Sequence, residues 1–250
     1  VKGALFRSSW DGGLLRVMGR NYRVGKTFPV PALMLSVEHY NLLARLLDSG
    51  VQPKITFNVE AKFHDEDVNA HNTLAEIPGT GAKPEVVMLG AHLDSWHGAS
   101  GGVDNAVGVA VTMEAMRILK AINLQPKRTI RIGLWAGEEQ GLLGSAAYVE
   151  RHFATRPKPT DPKERALPQW VWSSPGWPIT KLPDYDLLSV YFNMDHGSGK
   201  LRGIYAQGNA GARPLFADWF GQVADLSDGT ITINSAGSTD HVSFDDVGLP

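Results

Sequence analysis

The chain of 250 residues contains no cysteine. This absence excludes disulfide bonds, and it also excludes metal sites that are built on thiolates. Any metal ion bound by this chain must therefore be held by histidine, aspartate or glutamate side chains. The absence of cysteine does not identify the cellular compartment, because cytosol and periplasm both hold cysteine-free proteins.

The sequence also lacks long apolar runs and an excess of one charge. No run approaches the ~20 apolar residues that a membrane span needs. The 24 basic and 26 acidic residues nearly cancel and form no basic cluster, which argues against nucleic acid and anionic membranes as the main partners. The chain begins at Val1 without methionine or a signal peptide and stops at Pro250, so we expect a fragment that lacks both natural ends.

The first 83 residues predict a small β-rich layer, with no candidate catalytic side chains. Residues 31–36 suggest a short strand, and residues 37–47 have the spacing of a helix. Residues 51–63 alternate apolar and polar side chains, as a half-buried strand does. Residues 72–78 predict another short strand.

From Glu85 onward, the pattern alternates between strands and helices. Predicted strands cover residues 86–89, 129–135, 187–194 and 230–234, and predicted helices cover residues 103–119, 142–153 and 213–224. This alternation predicts an α/β fold with a mostly parallel central sheet and helices on both faces.

The segment 154–186 interrupts this alternation. It holds seven of the fifteen prolines and three of the seven tryptophans, a composition that predicts irregular structure. One interpretation is a surface insertion. The other is an aromatic wall or lid beside a functional site, because long loops are often functional.

Five polar side chains fall at the end of a predicted strand or at the start of a helix. One such residue alone is more often a helix cap or a hydrogen-bonded core group. Parallel strands, however, bring their carboxyl ends to one edge of the sheet, and these groups would repel one another or stay desolvated there without cations. Imidazole with carboxylate suits zinc, and five groups suit two metals that share one carboxylate. The five are His92, Asp104, Glu139, Asp195 and His241.

Two further carboxylates have candidate roles beside these five. Glu138 precedes Glu139 and can move a proton to or from a metal-activated water, unless it is only a solvated acidic residue near a helix start. Asp94 lies on the same strand face as His92 and can accept the other imidazole N–H, which would fix the tautomer. His97 and His196 lie beside the motifs and are candidates for lining the pocket.

Five ordered motifs in this chain resemble those of the M28 family of zinc peptidases, over about residues 72–250. The family includes bacterial aminopeptidases, glutamate carboxypeptidases and carboxypeptidase Q. The first 70 residues resemble the end of a protease-associated domain. The motifs are His92-Leu-Asp94, Gly101-Gly-Val-Asp-Asn105, Glu138-Glu139, Asn193-Met-Asp195 and Thr239-Asp-His241.

The resemblance implies a role for each of these residues. His92 and Asp195 would hold one Zn²⁺, Glu139 and His241 a second, and Asp104 would bridge the two. Glu138 would be the general base and acid, and Asp94 would orient His92. A cis peptide bond is expected between Asp104 and Asn105. The implied domains are a protease-associated remnant over residues 1–70 and a peptidase domain over residues 71–250, truncated at its C-terminus.

The resemblance implies a two-zinc exopeptidase, either an aminopeptidase or a dipeptidase similar to carboxypeptidase Q. Its substrate is a peptide, its substrate-binding residues are unknown, and a secreted or periplasmic location and a homodimer are expected. One alternative is an acyltransferase similar to glutaminyl cyclase, which uses a similar fold. The other is a non-catalytic receptor-like module on the same scaffold.

Overall fold

The computed structural model describes residues 2–15, 30–60, 62, 64, 66–157, 159–165 and 178–250. The chain divides into two units, Val1–Asn69 and Ala70–Pro250. Identification of the first unit as part of a protease-associated domain stays a prediction.

The described residues of the first unit form a parallel strand pair and one helix. Strand β1 (Ala4–Arg7), which the sequence pattern did not predict, pairs with β2 (Ala32–Leu35). Helix α1 (Val37–Asp48) begins after Ser36, whose hydroxyl accepts a hydrogen bond from the backbone N–H of His39 at 3.3 Å. This cap supplies a partner for one N–H group that the helix itself cannot satisfy.

The strand predicted over residues 51–63 is wrong for its described part. Residues 51–60 and 62 form no strand, and residues 61 and 63 lie outside the described residues. The apolar side chains of this alternating pattern, Ile55, Phe57 and Val59, are exposed. Alternation alone therefore does not make a strand, because a strand also needs a neighbouring strand for its backbone hydrogen bonds.

The second unit is built around a central sheet. Among the described residues, the strands of the second unit are β3 (Thr73–Ile77), β4 (Val86–His92), β5 (Thr129–Trp135), β6 (Ala154–Thr155), β7 (Thr180–Lys181), β8 (Leu188–Asn193), β9 (Gly203–Tyr205) and β10 (Thr230–Thr232). The helices in this described part of the chain are α2 (Val107–Ala121), α3 (Leu143–His152), α4 (Pro162–Arg165), α5 (Arg213–Gly221) and α6 (His241–Asp245). The predicted strand–helix alternation is confirmed.

The central sheet has the strand order β3-β5-β4-β8. Strand β4 pairs in parallel with β5 on one side and with β8 on the other, whereas β3 pairs antiparallel with β5. The prediction of a mostly parallel α/β sheet is therefore confirmed, with one antiparallel strand at the edge. Strands β9 and β10 form a separate parallel pair.

Helices pack on both faces of the sheet. Met88 on β4 belongs to a buried cluster with Tyr148 of α3 and Phe244 of α6. Ala91, three residues further along β4, belongs to a second cluster with Met116 of α2. Residues an odd number apart on a strand face opposite sides, so α3 and α6 cover one face and α2 covers the other. Full burial of a side chain such as Met88 stabilises the fold by roughly 1.5–3 kcal/mol.

The segment 154–186 contains short regular elements that its composition did not predict. Strands β6 and β7 form an antiparallel pair near its two ends, and α4 lies between them. The tryptophans at positions 170, 172 and 177, on which the aromatic-wall hypothesis depended, lie outside the described residues.

Candidate metal centre and active site

Three of the predicted metal-binding side chains converge at the carboxyl ends of the parallel strands. His92 is the last residue of β4, Asp195 follows β8 by two residues, and Asp104 lies in a single wide turn, Gly102–Ala106, before α2. Their ligand atoms all lie within 4.8 Å of one another. The Nε2 atom of His92 is 3.0 Å from Asp104 Oδ1 and 3.2 Å from Asp195 Oδ1.

The imidazole of His92 is oriented by the residue two positions later. Its Nδ1 atom is 2.9 Å from the carbonyl oxygen of Asp94 and 3.6 Å from Asp94 Oδ1. The backbone carbonyl is therefore the nearer hydrogen-bond acceptor, where the sequence had suggested the carboxylate. A hydrogen on Nδ1 leaves the lone pair of Nε2 directed toward Asp104 and Asp195, as a metal ligand requires.

The carboxylate of Asp94 holds the loop that carries the two adjacent glutamates. Asp94 Oδ1 accepts the backbone N–H of Glu138 at 3.0 Å, and Oδ2 accepts that of Glu139 at 3.1 Å. Burial by itself would raise the pKa of Asp94, but His92 and these two N–H groups outweigh it and lower that pKa. Asp94 therefore links the end of β4 to the loop after β5.

Glu138 and Glu139 occupy this loop with different surroundings. Burial is the largest cause that raises the pKa of Glu138 to about 8; nearby His92 opposes the shift, and Asp195, Asp240 and Glu139 add to it. Burial and the charge of Asp104 also raise the pKa of Glu139. Glu138 thus combines burial with a position beside the converging ligands, which suits a group that exchanges a proton near neutral pH.

Asn105 connects the loops that carry Asp104 and Asp195. Its buried side chain donates from Nδ2 to the carbonyl oxygen of Met194 at 2.9 Å. Its Oδ1 atom accepts the N–H groups of Gly108 at 3.1 Å and His196 at 3.2 Å. The peptide bond between Asp104 and Asn105 is cis, as the resemblance implied. The sequence showed Asn105 as part of a motif but did not indicate this linking role.

His241 does not belong to the group of three converging side chains. It is the first residue of α6, and its Nε2 atom is 2.9 Å from the carbonyl oxygen of Ala236. The preceding residue, Asp240, is completely buried, and burial raises its pKa to about 6. The structure therefore brings Asp240 into the charged surroundings of Glu138.

The charges and unpaired atoms of the centre fit a bound cation. Asp104 Oδ1 and Glu139 Oε1 are buried and accept no hydrogen bond from any described residue. Burial alone would lower the pKa of His92, but the carboxylates of Asp195 and Asp94 raise it to about 11. One imidazole nitrogen with carboxylate oxygens around it is a donor set that suits zinc.

A family model described as peptidase family M28 matches residues 72–250. The chain belongs to peptidase family M28. The matched range includes every metal-binding and catalytic candidate named above. Among the described residues, no helix combines the length and the apolar character needed to cross a membrane.

This chain is similar in sequence to a carboxypeptidase and in fold to a zinc aminopeptidase. It is 37% identical to carboxypeptidase Q of Xenopus laevis over 123 residues, which are 49% of this chain and 26% of that protein. The chain thus spans about a quarter of the length of this relative. A zinc aminopeptidase from Bacillus subtilis, BSAP, has a TM-score of 0.60 at 18% identity, covering 98% of this chain and 51% of that chain.

A second enzyme class has a similar fold. A glutaminyl cyclase from an Acidobacteriales bacterium has a TM-score of 0.50 at 16% identity, covering 72% of this chain and 56% of that chain. At these identities the structural likeness shows the fold alone. The reaction must therefore be argued from the residues of the site.

Proposed function

We propose that this chain carries the catalytic centre of a zinc-dependent exopeptidase. One observation carries the proposal: His92, Asp104 and Asp195 converge at the sheet edge beside Glu138, a buried carboxyl whose pKa is raised to about 8. Membership of peptidase family M28 supports hydrolysis of a peptide bond. The name of one similar protein, a carboxypeptidase, supports action near a chain terminus.

The centre is proposed to hold two zinc ions. His92 and Asp195 would bind one ion, Glu139 and His241 the other, and Asp104 would bind both. The orientation of Asp104 supports a bridge, because its Oδ1 atom lies 3.0 Å from His92 while Oδ2 lies 3.0 Å from His196. Its two oxygens therefore face different neighbours and can serve two ions.

In the proposed reaction, the carboxylates of Glu138 and Asp94 have different roles. When bound, zinc would lower the pKa of the attacking water and polarise the scissile carbonyl. Glu138 would accept a proton from the water at a carboxylate oxygen and pass it to the leaving amine. Asp94 would keep Glu138 in place through the backbone N–H of that residue. Nearby cations would also favour the charged form of Glu138, so its pKa should fall below its metal-free value.

Glu138→Gln is the most direct test of this mechanism. The variant should bind as much zinc as the unsubstituted protein, because Glu138 is not a proposed ligand. Its kcat should fall by about 10²–10⁴-fold, the usual contribution of a general acid–base group. Zinc content by atomic emission and kcat on a dipeptide substrate measure the two effects.

Glu139→Gln is the matched control, since it makes the same chemical change at the neighbouring residue. It should lose zinc as well as activity, because Glu139 is a proposed ligand. Normal turnover by Glu138→Gln would rule out the assigned mechanism.

A substrate panel separates the alternatives. Peptides with a free N-terminus, peptides with a blocked N-terminus, and peptides that begin with glutamine should be offered to the zinc-loaded protein. Cleavage of the first kind alone indicates an aminopeptidase, and release of C-terminal residues from blocked peptides indicates a carboxypeptidase. Ring closure of N-terminal glutamine would replace the proposal with a cyclase, and zinc binding without any turnover would favour a receptor-like module.

Location and assembly belong to the same proposal. The resemblance implies a secreted or periplasmic protein that can form a homodimer. Cell fractionation of the full-length protein, together with light scattering of the purified enzyme, measures both properties.

A further inference from the structure

His196 contacts two of the converging carboxylates although it belongs to none of the five motifs. Its Nε2 atom lies 3.0 Å from Asp104 Oδ2 and 3.4 Å from Asp195 Oδ1. An ionised carboxylate only accepts hydrogen bonds, so a hydrogen on this nitrogen would let it donate to these oxygens. The side chain of His196 is 65% exposed, whereas that of His92 is 1% exposed. His196 therefore contacts Asp104 from the solvent side, and His92 contacts it from the buried side.

The backbone of His196 is held in an uncommon conformation. Its φ angle is +65°, in the left-handed region that residues with a side chain rarely occupy. The backbone N–H of His196 donates to Oδ1 of Asn105, the same buried amide that donates to Met194. Backbone strain of this kind persists where the surroundings enforce it, and it is concentrated at functional sites.

We propose that His196 is a positioning residue of the metal centre, which fixes the outer oxygen of Asp104 and the near oxygen of Asp195 by hydrogen bonding. A carboxylate oxygen has two lone pairs, so Asp104 Oδ2 can accept from His196 and still bind a cation. The ligands would then be oriented before zinc arrives, which reduces the cost of ordering them on binding. This inference rests on the proposed function only in requiring that the centre binds zinc.

The test compares the zinc affinity of His196 variants by competition with a chromophoric chelator. His196→Gly removes the imidazole and tolerates the left-handed backbone. We expect its zinc affinity to fall by about 10–100-fold, as is typical when a partner of a metal ligand is lost. His196→Asn also tolerates this backbone and keeps an N–H donor. Its zinc affinity should therefore lie between those of the unsubstituted protein and His196→Gly.

Two further measurements separate positioning from a general loss of structure. The zinc-free His196→Gly protein should unfold within a few degrees of the unsubstituted protein. The visible absorption spectrum of the cobalt-loaded variant should change, because it reports the arrangement of the ligands. His71→Ala is the control for the number of histidines: His71 is exposed and precedes β3, and its removal should leave zinc affinity unchanged.

Equal zinc affinity in His196→Gly and in the unsubstituted protein would overturn the proposal. An affinity loss accompanied by an equal loss of stability without zinc would also overturn it, since the role would then be structural. A protein that binds zinc but cleaves no peptide would refute the proposed function alone. The comparison of zinc affinities would still decide the role of His196.

Discussion

Asp94 contacts His92 and the loop of Glu138 and Glu139 with different parts of the residue. Its carbonyl oxygen lies 2.9 Å from Nδ1 of His92, and its carboxylate accepts the N–H groups of Glu138 and Glu139. A change in the side chain therefore alters the glutamate loop and leaves the closest contact of His92 in place. The two functions can be separated by substitution.

Asp94→Asn should reduce kcat more than zinc content. Asparagine replaces one of the two carboxylate oxygens with an NH₂ donor, so one of the two N–H groups would face a donor instead of an acceptor. The loop that carries Glu138 should lose its orientation, and kcat should fall by roughly 10–100-fold, as for other groups that orient a metal site. Steady-state kinetics and zinc analysis of the same sample provide the measurement. Loss of zinc in proportion to activity would show that Asp94 acts mainly through the proposed ligands His92 and Glu139.

Stability without zinc should decrease as pH rises above neutrality. His92 binds its proton more tightly in the folded state, with a pKa of about 11, than in the unfolded state near 6.5. Its contribution to stability is therefore fully present below pH 6.5 and is lost as pH rises toward 11. The pKa of Glu138 is raised from 4.5 to about 8, so Glu138 adds a further decrease in stability as pH rises from 4.5 to about 8.

Urea unfolding at pH 7 and pH 9, with a chelator and with zinc, measures this effect. The midpoint should fall with pH in the chelator. Zinc should counteract the fall, because zinc requires the neutral imidazole and binds more tightly at higher pH. His92→Gln is the control and should show a weaker pH dependence. A midpoint that rises with pH in the absence of zinc would contradict the prediction.

At the scale of elements, the start of α2 packs closely against the loop after β8. A Cβ atom added at Gly108 would lie 2.5 Å from the carbonyl oxygen of Met194 and would also overlap Oδ1 of Asn105. Gly108 therefore permits the approach through which Asn105 connects the two loops. No other residue type provides this space, because every other residue carries a Cβ atom.

Gly108→Ala should destabilise the protein by about 1–3 kcal/mol, the usual cost of overpacking a buried site. Zinc affinity should also fall, because the loops that carry Asp104 and Asp195 must move apart. Gly221→Ala at the end of α5 is the control, since an added Cβ there has no neighbour within 4 Å. That change should be neutral or stabilise by up to ~1 kcal/mol. Equal unfolding midpoints for the two variants would argue against a tight contact at Gly108.

The accuracy of the sequence-based predictions differs between elements for a physical reason. The predicted strand at residues 129–135 agrees with β5, because a short segment rich in β-branched and aromatic residues is typical of a strand. The helix predicted from Val103 begins at Val107 instead, since Asp104 and Asn105 have non-helical backbone angles. Strands β1 and β9 are short and depend on pairing with distant segments, so local patterning does not indicate them.

At the scale of the whole molecule, every candidate residue of the centre lies in the second unit. The first of these residues is His92 and the last is His241, whereas the first unit ends at Asn69. Residues 70–250 produced alone should therefore bind zinc with an affinity within a few-fold of the longer chain. Chelator competition on both proteins tests this expectation. A loss of zinc binding on removal of residues 1–69 would show that the first unit is required for the centre to form.

The sequence by itself determined the chemical types and the order of the candidate ligands. Zinc was favoured because cysteine is absent and imidazoles recur with carboxylates at the ends of predicted parallel strands. The tertiary structure decided which atoms meet: the carbonyl rather than the carboxylate of Asp94 contacts His92 most closely, and His196 reaches Asp104. His92 and Asp195 are 103 residues apart in the chain. Such contacts depend on strand register and loop conformation, which arise from packing across the whole sheet rather than from local sequence.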